Sequence, residues 1–305
     1  MITRTSNLMM ARNAQQNLQA NMSRLAKLQE QAHTSAAITR PSDDPAGTAD
    51  ALKVRSEIRA NTAYKNNISD ANSWLATLDN ALTRTNDILT RIKDLSITAA
   101  TATTTAASKA AIATEIEGLK SDLLGQANTS YLGRNIFAGN SDAGAAVVEN
   151  PPVPPAITPT YSFTGDGHAP VNRRIDANTT VRVDASASEV FGGVNGEPDV
   201  FAKIDSLVND LRANGDISTH LAGIDESINT VLTSQTDVGI RHARVLKAEE
   251  TNVEQSVSLE TRRSGIEDLD TAQVILDLKL QELAYQSSLA VTAKVLQPTL
   301  MDFLR

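Results

Sequence analysis

The sequence predicts a mainly α-helical chain with a small β insertion, built from long helices and terminal coiled-coil helices. Three observations predict it: the placement of proline, a set of seven-residue apolar repeats, and a shortage of aromatic side chains. Seven of the ten prolines lie between residues 151 and 198, and none occurs in 1–40, 46–150 or 199–297. Proline inside a helix costs about 3 kcal/mol, so long helices are permitted at both ends and excluded from the middle. Only ten of the 305 residues are aromatic, although 41% are hydrophobic. The core is therefore built from Leu, Ile, Val, Met and Ala, the palette of helix seams.

The first element, residues 1–40, carries a narrow apolar stripe in which Leu8, Gln15, Met22 and Gln29 alternate with Ala11, Leu18, Leu25 and Ala32. A stripe of two residues in seven has to pack on another helix. The stretch Ile38-Thr-Arg-Pro-Ser-Asp-Asp-Pro-Ala-Gly47 ends this helix. Pro41 disfavours helix at the residue before it, while Ser42, Asp43 and Asp44 are N-cap types and Pro45 suits the first helical position. A second helix is expected to run on through Ala49, Leu52, Val54 and Ile58.

The clearest heptad lies in 68–99. Ile68, Leu75, Leu82, Leu89 and Ser96 alternate there with Ala71, Leu78, Thr85, Ile92 and Ala99. Residues 150–195 read as strand and turn: five prolines in 150–159 make an extended connector, and Tyr161–Thr164 and Thr180–Asp184 alternate as strands. Val190-Phe191 then precedes Gly192-Gly193. Leu221, Ile224, Ile228, Val231 and Val238 mark a further helix. The last carries Ile266, Gln273, Leu280 and Ser287 alternating with Leu269, Leu276, Leu283 and Ala290. Residues 1–40 hold five basic and one acidic side chain, whereas 266–305 hold three basic and six acidic. The first and last helices are therefore expected to pair. The expected organisation is 1–40 with 266–305 as paired terminal helices, 41–140 with 199–265 as a long-helix bundle, and 141–198 as a β-rich insertion.

Composition narrows function. The net charge of −8 argues against a nucleic acid partner, and no run of 18 apolar residues exists to enter a membrane. The N-terminus lacks the apolar stretch and cleavage site of a secretory signal. With no cysteine, disulfides and thiolate chemistry are excluded. His33, His168, His220 and His242 are scattered, without the spacing of a metal face on one helix. Gly165-Asp-Gly167 reads as a β-turn, and no phosphate-binding glycine loop or nucleophile elbow is present. The carboxylate clusters Asp43-Asp44, Glu249-Glu250 and Glu267-Asp-Leu-Asp270 read as helix caps or solvated faces. No catalytic residue, cofactor or metal is expected.

Arg40-Pro-Ser-Asp-Asp-Pro-Ala-Gly47 resembles the N-terminal signature of the flagellin family of bacterial axial proteins. Gly265-Ile-Glu-Asp-Leu-Asp-Thr-Ala and the ending Ala284–Arg305 resemble its C-terminal one. Pro-Ser-Asp-Asp-Pro in the turn and Gly133-Arg-Asn-Ile-Phe-Ala-Gly139 resemble the hook–filament junction branch of that family, as do Tyr161–Asp166 and Val190-Phe191-Gly192. Asn135 stands where that branch usually has Tyr.

The resemblance implies terminal helices that pair in an axial core and an insertion that faces outward. It also implies export of the unfolded chain through the flagellar type III channel to an extracellular flagellum. Narrow terminal seams bury too little to offset about 1–2 kcal/mol per ordered residue, so these ends are expected to be disordered in the monomer and to fold on assembly. The expected function is a structural, non-enzymatic subunit joining hook-side proteins to the flagellin filament, the alternative being a filament-forming flagellin. Implied partners are further copies in a ring or short helical zone, a hook-associated protein on the hook side, flagellin on the filament side and an export chaperone. The residues expected to carry assembly are Leu18, Met22, Leu25, Arg40, Pro41, Ser42, Asp43, Asp44, Pro45, Leu276, Leu280, Leu283, Leu300 and Phe303.

Overall fold

The computed structural model describes residues 2–101, 104–152, 158–165, 169–192 and 198–295. In chain order the helices and strands are α1 (Ile2–Thr34), α2 (Pro45–Ala100), α3 (Ala106–Ala127), β1 (Ser130–Tyr131), β2 (Arg134–Asn135), β3 (Val147–Asn150), β4 (Thr160–Phe163), β5 (Asn172–Arg174), β6 (Thr180–Arg182), α4 (Ala187–Phe191), α5 (Val200–Arg212), α6 (Ser218–Glu267) and α7 (Thr271–Val295). The chain forms two compact units, Met1–Ala60 with Gln255–Arg305 and Asn61–Glu254, so α2 and α6 contribute to both. The divisions fall at 60/61 and 254/255, not at the 40/41 and 265/266 expected from the proline map. Helix α2 has no proline beyond its first residue and its seven-residue series of buried positions runs through the boundary by way of Val54, Asn61 and Ile68, so nothing ends it there.

In the unit Asn61–Glu254, all ten heptad positions read from 68–99 are buried. Ile224, Val231, Val238 and Val245 of α6 recur every seven residues and are buried as well. The two helices run antiparallel: Asn72 pairs with His242 at 2.6 Å, and Gln235 donates to Asp79 at 3.2 Å. A seven-residue apolar repeat on each helix puts one continuous stripe against the other. Helix α3 starts at an N-cap, Thr105, whose side chain accepts from Ser108 N, and packs against α5. Asp199 caps α5 in the same way, accepting from Ala202 N.

Among the described residues, three two-stranded antiparallel ladders accompany these helices: β1 with β2, β3 with β4 and β5 with β6. The turn between β1 and β2 places Leu132 at φ 49° and Gly133 at φ 79°. Two successive left-handed residues are what a tight two-residue hairpin requires, and glycine meets that demand without steric cost at the second. The short β1–β2 hairpin lies within 41–140, ahead of the expected β region. Tyr161–Phe163 and Thr180–Arg182 are strands as read. Val190-Phe191, placed with the strands, instead ends the helical turn α4. Ala187, Val190 and Phe191 are all buried at i, i+3 and i+4, a helical rather than alternating spacing. Gly167 and His168 lie outside the described residues.

Most of the scarce aromatics gather where strands meet helices. Phe137 contacts Phe191 edge-on at 5.3 Å between centroids, Phe191 lies 5.8 Å from Phe201, and Tyr161 stacks on Phe201 at 4.9 Å. One polar bridge ties β4 to α3 and α5. Lys120 Nζ reaches Asp205 Oδ1 at 2.6 Å, and the Tyr161 hydroxyl donates to Asp205 Oδ2 at 2.8 Å. Burial, then the Asp205 carboxylate, holds the Tyr161 hydroxyl protonated far above its ordinary range. Leu82 is fully buried in the α2 stripe, so Leu82→Ala is expected to cost about 2–5 kcal/mol of unfolding free energy, measured by urea titration of the whole chain.

Candidate assembly interface

The unit Met1–Ala60 with Gln255–Arg305 contains the terminal helices and the two turns that connect them to α2 and α6. Helices α1 and α7 pack along each other, and Gln281 Nε2 donates to Asn21 O and Asn21 Oδ1 at 3.2 and 3.3 Å. Partly covered residues recur at Ala14, Leu18, Asn21, Leu25, Leu28 and Ala32 on α1. On α7 the corresponding positions are Val274, which is buried, and the partly covered Leu278, Gln281, Tyr285, Ser288 and Thr292. Both sets alternate steps of four and three, the spacing of a coiled-coil seam.

This seam differs from the one expected. Leu18 and Leu25 lie in it, but Met22 does not and is 60% exposed. Leu276, Leu280 and Leu283 are 55%, 58% and 64% exposed. At 100° per residue these three project from the side of α7 opposite the residues that meet α1. Ile275, Leu289 and Val291 are exposed too, so α7 is apolar on more than one face. The sequence therefore offered two heptad stripes. The spacing predicts the leucine-richer stripe as the internal seam, whereas the chain folds α1 against the other, in which Gln281, Ser288 and Thr292 accompany Val274, Leu278 and Tyr285. The signal for the actual seam was present in the same spacing, but its polar members carry little weight in a hydrophobic count.

The turn after α1 is built as its residues suggest. Asp44 Oδ1 accepts from Gly47 N at 2.9 Å, and the Asp44 carbonyl accepts from the Thr48 hydroxyl at 2.7 Å. Asp44 is thus the N-cap of α2 and Pro45 its first residue, where a missing N–H is harmless. A Cβ on residue 47 would lie 2.4 Å from Asp44 Oδ2 and 2.8 Å from Ile38 Cδ1, so the position admits only glycine without rearrangement. Asp43 accepts from Lys27 at 3.3 Å and Thr39 at 3.1 Å, and the lysine holds its carboxyl below the usual range. Arg40 reaches Glu30 at 3.2 Å, while Pro41 and Ser42 are exposed without forming part of any helix.

The second turn lies alongside the first. Ala36 and Asp268 form an antiparallel bridge, with Ala37 N donating to Glu267 O at 2.8 Å. Glu267 is the hub: its carboxylate accepts from Arg55 at 2.6 Å and from Arg263 at 3.4 Å. Arg55 above all holds this carboxyl below the ordinary glutamate value. Asp270 caps α7, accepting from Ala272 N at 3.0 Å and Gln273 N at 3.2 Å. The Arg55–Glu267 contact was not legible in the sequence, because 212 residues separate its partners. Ile38, Pro41, Ala51, Leu52, Arg55 and Glu267 line a cavity of ≈130 Å³ between the turns. Leu300 and Phe303 lie outside the described residues.

Among the described residues no group of His, Asp and Glu is placed to hold a metal ion, and no helix is long and apolar enough to cross a membrane. The chemistry on display is helix pairing, capping and ion pairing.

Comparison with known proteins agrees with this geometry. Residues 5–142 match the bacterial flagellin N-terminal helical region, and residues 221–304 match the bacterial flagellin C-terminal helical region. The chain belongs to the bacterial flagellin family. It is 26% identical over 262 residues to the flagellar filament 30.7 kDa core protein of Treponema maltophilum, covering 84% of this chain and 83% of that protein. It is 22% identical to flagellar hook-associated protein 3 of Salmonella typhimurium, covering 86% of this chain and 87% of the other. The fold is similar to the crystal structure of flagellar hook associated protein-3 from Legionella pneumophila, with a TM-score of 0.60 at 15% identity, covering 70% of this chain and 99% of that one.

Because Arg55 depresses the carboxyl of Glu267 in the fold, the stability this contact contributes is present above the unfolded glutamate value, about 4.3, and is lost as pH falls through the folded value. Glu267→Gln is accordingly expected to lower the thermal midpoint at neutral pH, with the gap to the parent chain closing as the pH falls below the unfolded glutamate value. Circular dichroism melts across that range check it. Asp44→Ala is expected to cost about 1 kcal/mol by loss of the cap, read by urea unfolding followed at α2.

Proposed function

We propose that this chain is a structural subunit of the bacterial flagellum that joins the hook-side proteins to the flagellin filament, and that it has no catalytic role. The observation that carries the structural reading is the leucine stripe Leu276, Leu280 and Leu283, left facing solvent while the other side of α7 is occupied by α1. An apolar stripe of this spacing is complementary to another helix, and in a family of axial proteins that helix belongs to a neighbouring subunit. Assembly then couples ordering of the terminal helices to polymerisation. The narrow, partly open seam between α1 and α7 buries little by itself, and packing of the stripe against a neighbour supplies the further burial that holds both helices.

The signature turn, with Arg40, Pro41, Ser42, Asp43, Asp44 and Pro45, sets the exit direction of α1 from α2, and Met22 extends the exposed apolar surface on α1. Leu18 and Leu25 hold α1 to α7. In this reading the subunit leaves the cell by the flagellar export route, with a chaperone covering its apolar ends before assembly. Its neighbours are a hook-associated protein on one side and flagellin on the other. The relationship to flagellar hook-associated protein 3 along most of both chains, and the segment Gly133-Arg-Asn-Ile-Phe-Ala-Gly139, support the junction. The similarity to a Treponema filament core protein supports a second reading, a filament-forming flagellin.

Two experiments separate these outcomes. Leu280→Asp is expected to leave the Asn61–Glu254 unit folded, by near-ultraviolet dichroism of Trp74, while abolishing incorporation into flagella; normal incorporation would refute the stripe as an assembly surface. Immunogold labelling of intact flagella is expected to mark one short zone next to the hook. Label along the whole filament would instead establish the flagellin reading.

A further inference from the structure

Within the unit Asn61–Glu254, the antiparallel pairing of α2 with α6 contains one layer in which two buried side-chain amides meet. Asn61 and Asn252 face each other and are 6% and 5% exposed. Each side chain donates to the other residue's backbone carbonyl: Asn61 Nδ2 to Asn252 O at 3.3 Å and Asn252 Nδ2 to Asn61 O at 3.1 Å. Asn252 Nδ2 also contacts Asn61 Oδ1. Both asparagines continue the seven-residue series of their helices, Asn61 preceding Ile68 and Leu75, and Asn252 following Val238 and Val245.

Counting by seven from the amide pair sets Ile68 level with Val245, Leu75 with Val238, Leu82 with Val231 and Leu89 with Ile224, and all eight are buried. The same register places Asn72 by His242 and Asp79 by Gln235, as observed. Because both stripes repeat every seven residues, sliding one helix past the other by a heptad again lays aliphatic residues against aliphatic residues. A slip in one direction sets Ile68 against Val238, Leu75 against Val231 and Leu82 against Ile224. Apolar burial alone hardly distinguishes these arrangements. The amides do, because after a slip Asn61 would face Val245, or Asn252 would face Ile68, and a buried amide would lose both partners. Polar residues at single core positions act this way in coiled coils.

We propose that the Asn61–Asn252 pair selects the register in which α2 and α6 come together. The pair joins residues 191 apart in sequence, so the two helices must find each other across most of the chain. A unique register is what brings the elements between them to one packing.

The chain has no cysteine, so spin labels at Arg84→Cys and Glu249→Cys report the register directly. Both sites are exposed and are offset along the helix axis. The otherwise unaltered chain is expected to give one distance peak after refolding from urea. With Asn61→Val and Asn252→Val together, a second population is expected, displaced by about 10 Å, which is seven residues at the helical rise. Adding Ile68→Asn and Val245→Asn to that variant moves the amide pair to the next layer of the same register and is expected to restore a single peak. A single unshifted peak in the double valine variant would overturn the proposal. Failure of that variant to fold would overturn it too, because the proposal requires the apolar layers to pair without the amides.

Discussion

An amphipathic helix whose apolar stripe takes two residues in seven cannot bury that stripe by itself, and this one constraint organises the molecule. In α2 the stripe from Ile68 to Ala99 is covered within the chain and every member is buried. In α7 the chain covers one side and leaves another. The same repeat therefore does two jobs: it closes a core in one unit and presents a surface in the other. The difference lies in what the opposite helix supplies. Helix α6 offers Ile224, Val231, Val238 and Val245, all buried, whereas the α1–α7 seam mixes Leu18, Leu25, Leu28, Val274, Leu278 and Tyr285 with Ala14, Asn21, Ala32, Gln281, Ser288 and Thr292 and, Val274 aside, stays only partly covered. Aliphatic side chains interlocked in a sealed seam stabilise far more than a mixed set at a half-open one.

Short-range polar chemistry then fixes the places where the repeats must stop. Asp44, Thr105, Asp199 and Asp270 each satisfy amide groups at a helix start, and each stands just before a helix with an apolar stripe. Glu267 works at longer range. By accepting from Arg55 and Arg263 and accepting at its carbonyl from Ala37 N, one residue holds two turns from opposite ends of the chain side by side. Lys120, Tyr161 and Asp205 do the equivalent for the strands, joining β4 to two helices with one half-buried ionic contact.

These features differ in how far the sequence reveals them. The heptad at 68–99 was fully legible because its polar and apolar faces are sharply separated. The capped turn at Asp44-Pro45 was legible because capping is local, involving residues three apart. The seam of α7 was misjudged because that helix is apolar on several faces, and periodicity cannot say which of two stripes a partner will choose. Strands β1 and β2, of two residues each, carry no alternation to read. Val190 and Phe191 look like strand residues by type, and only their contacts place them in a helical turn. Asp205 lies at an ordinary position of an amphipathic helix, and nothing near it in sequence announces Lys120.

The turn at Asp44 has a further implication for how this chain tolerates change. The carboxylate that caps α2 is also the nearest obstacle to any side chain at position 47, with Oδ2 at 2.4 Å from where a Cβ would stand. The two positions are consequently not independent. While the aspartate holds its capping position, a side chain at 47 can enter only if that carboxylate or Ile38 shifts. Once a smaller capping residue replaces it, Ile38 Cδ1, the end of a flexible side chain, is the obstacle that remains within 3 Å. The cost of altering either end of this four-residue span therefore depends on what occupies the other.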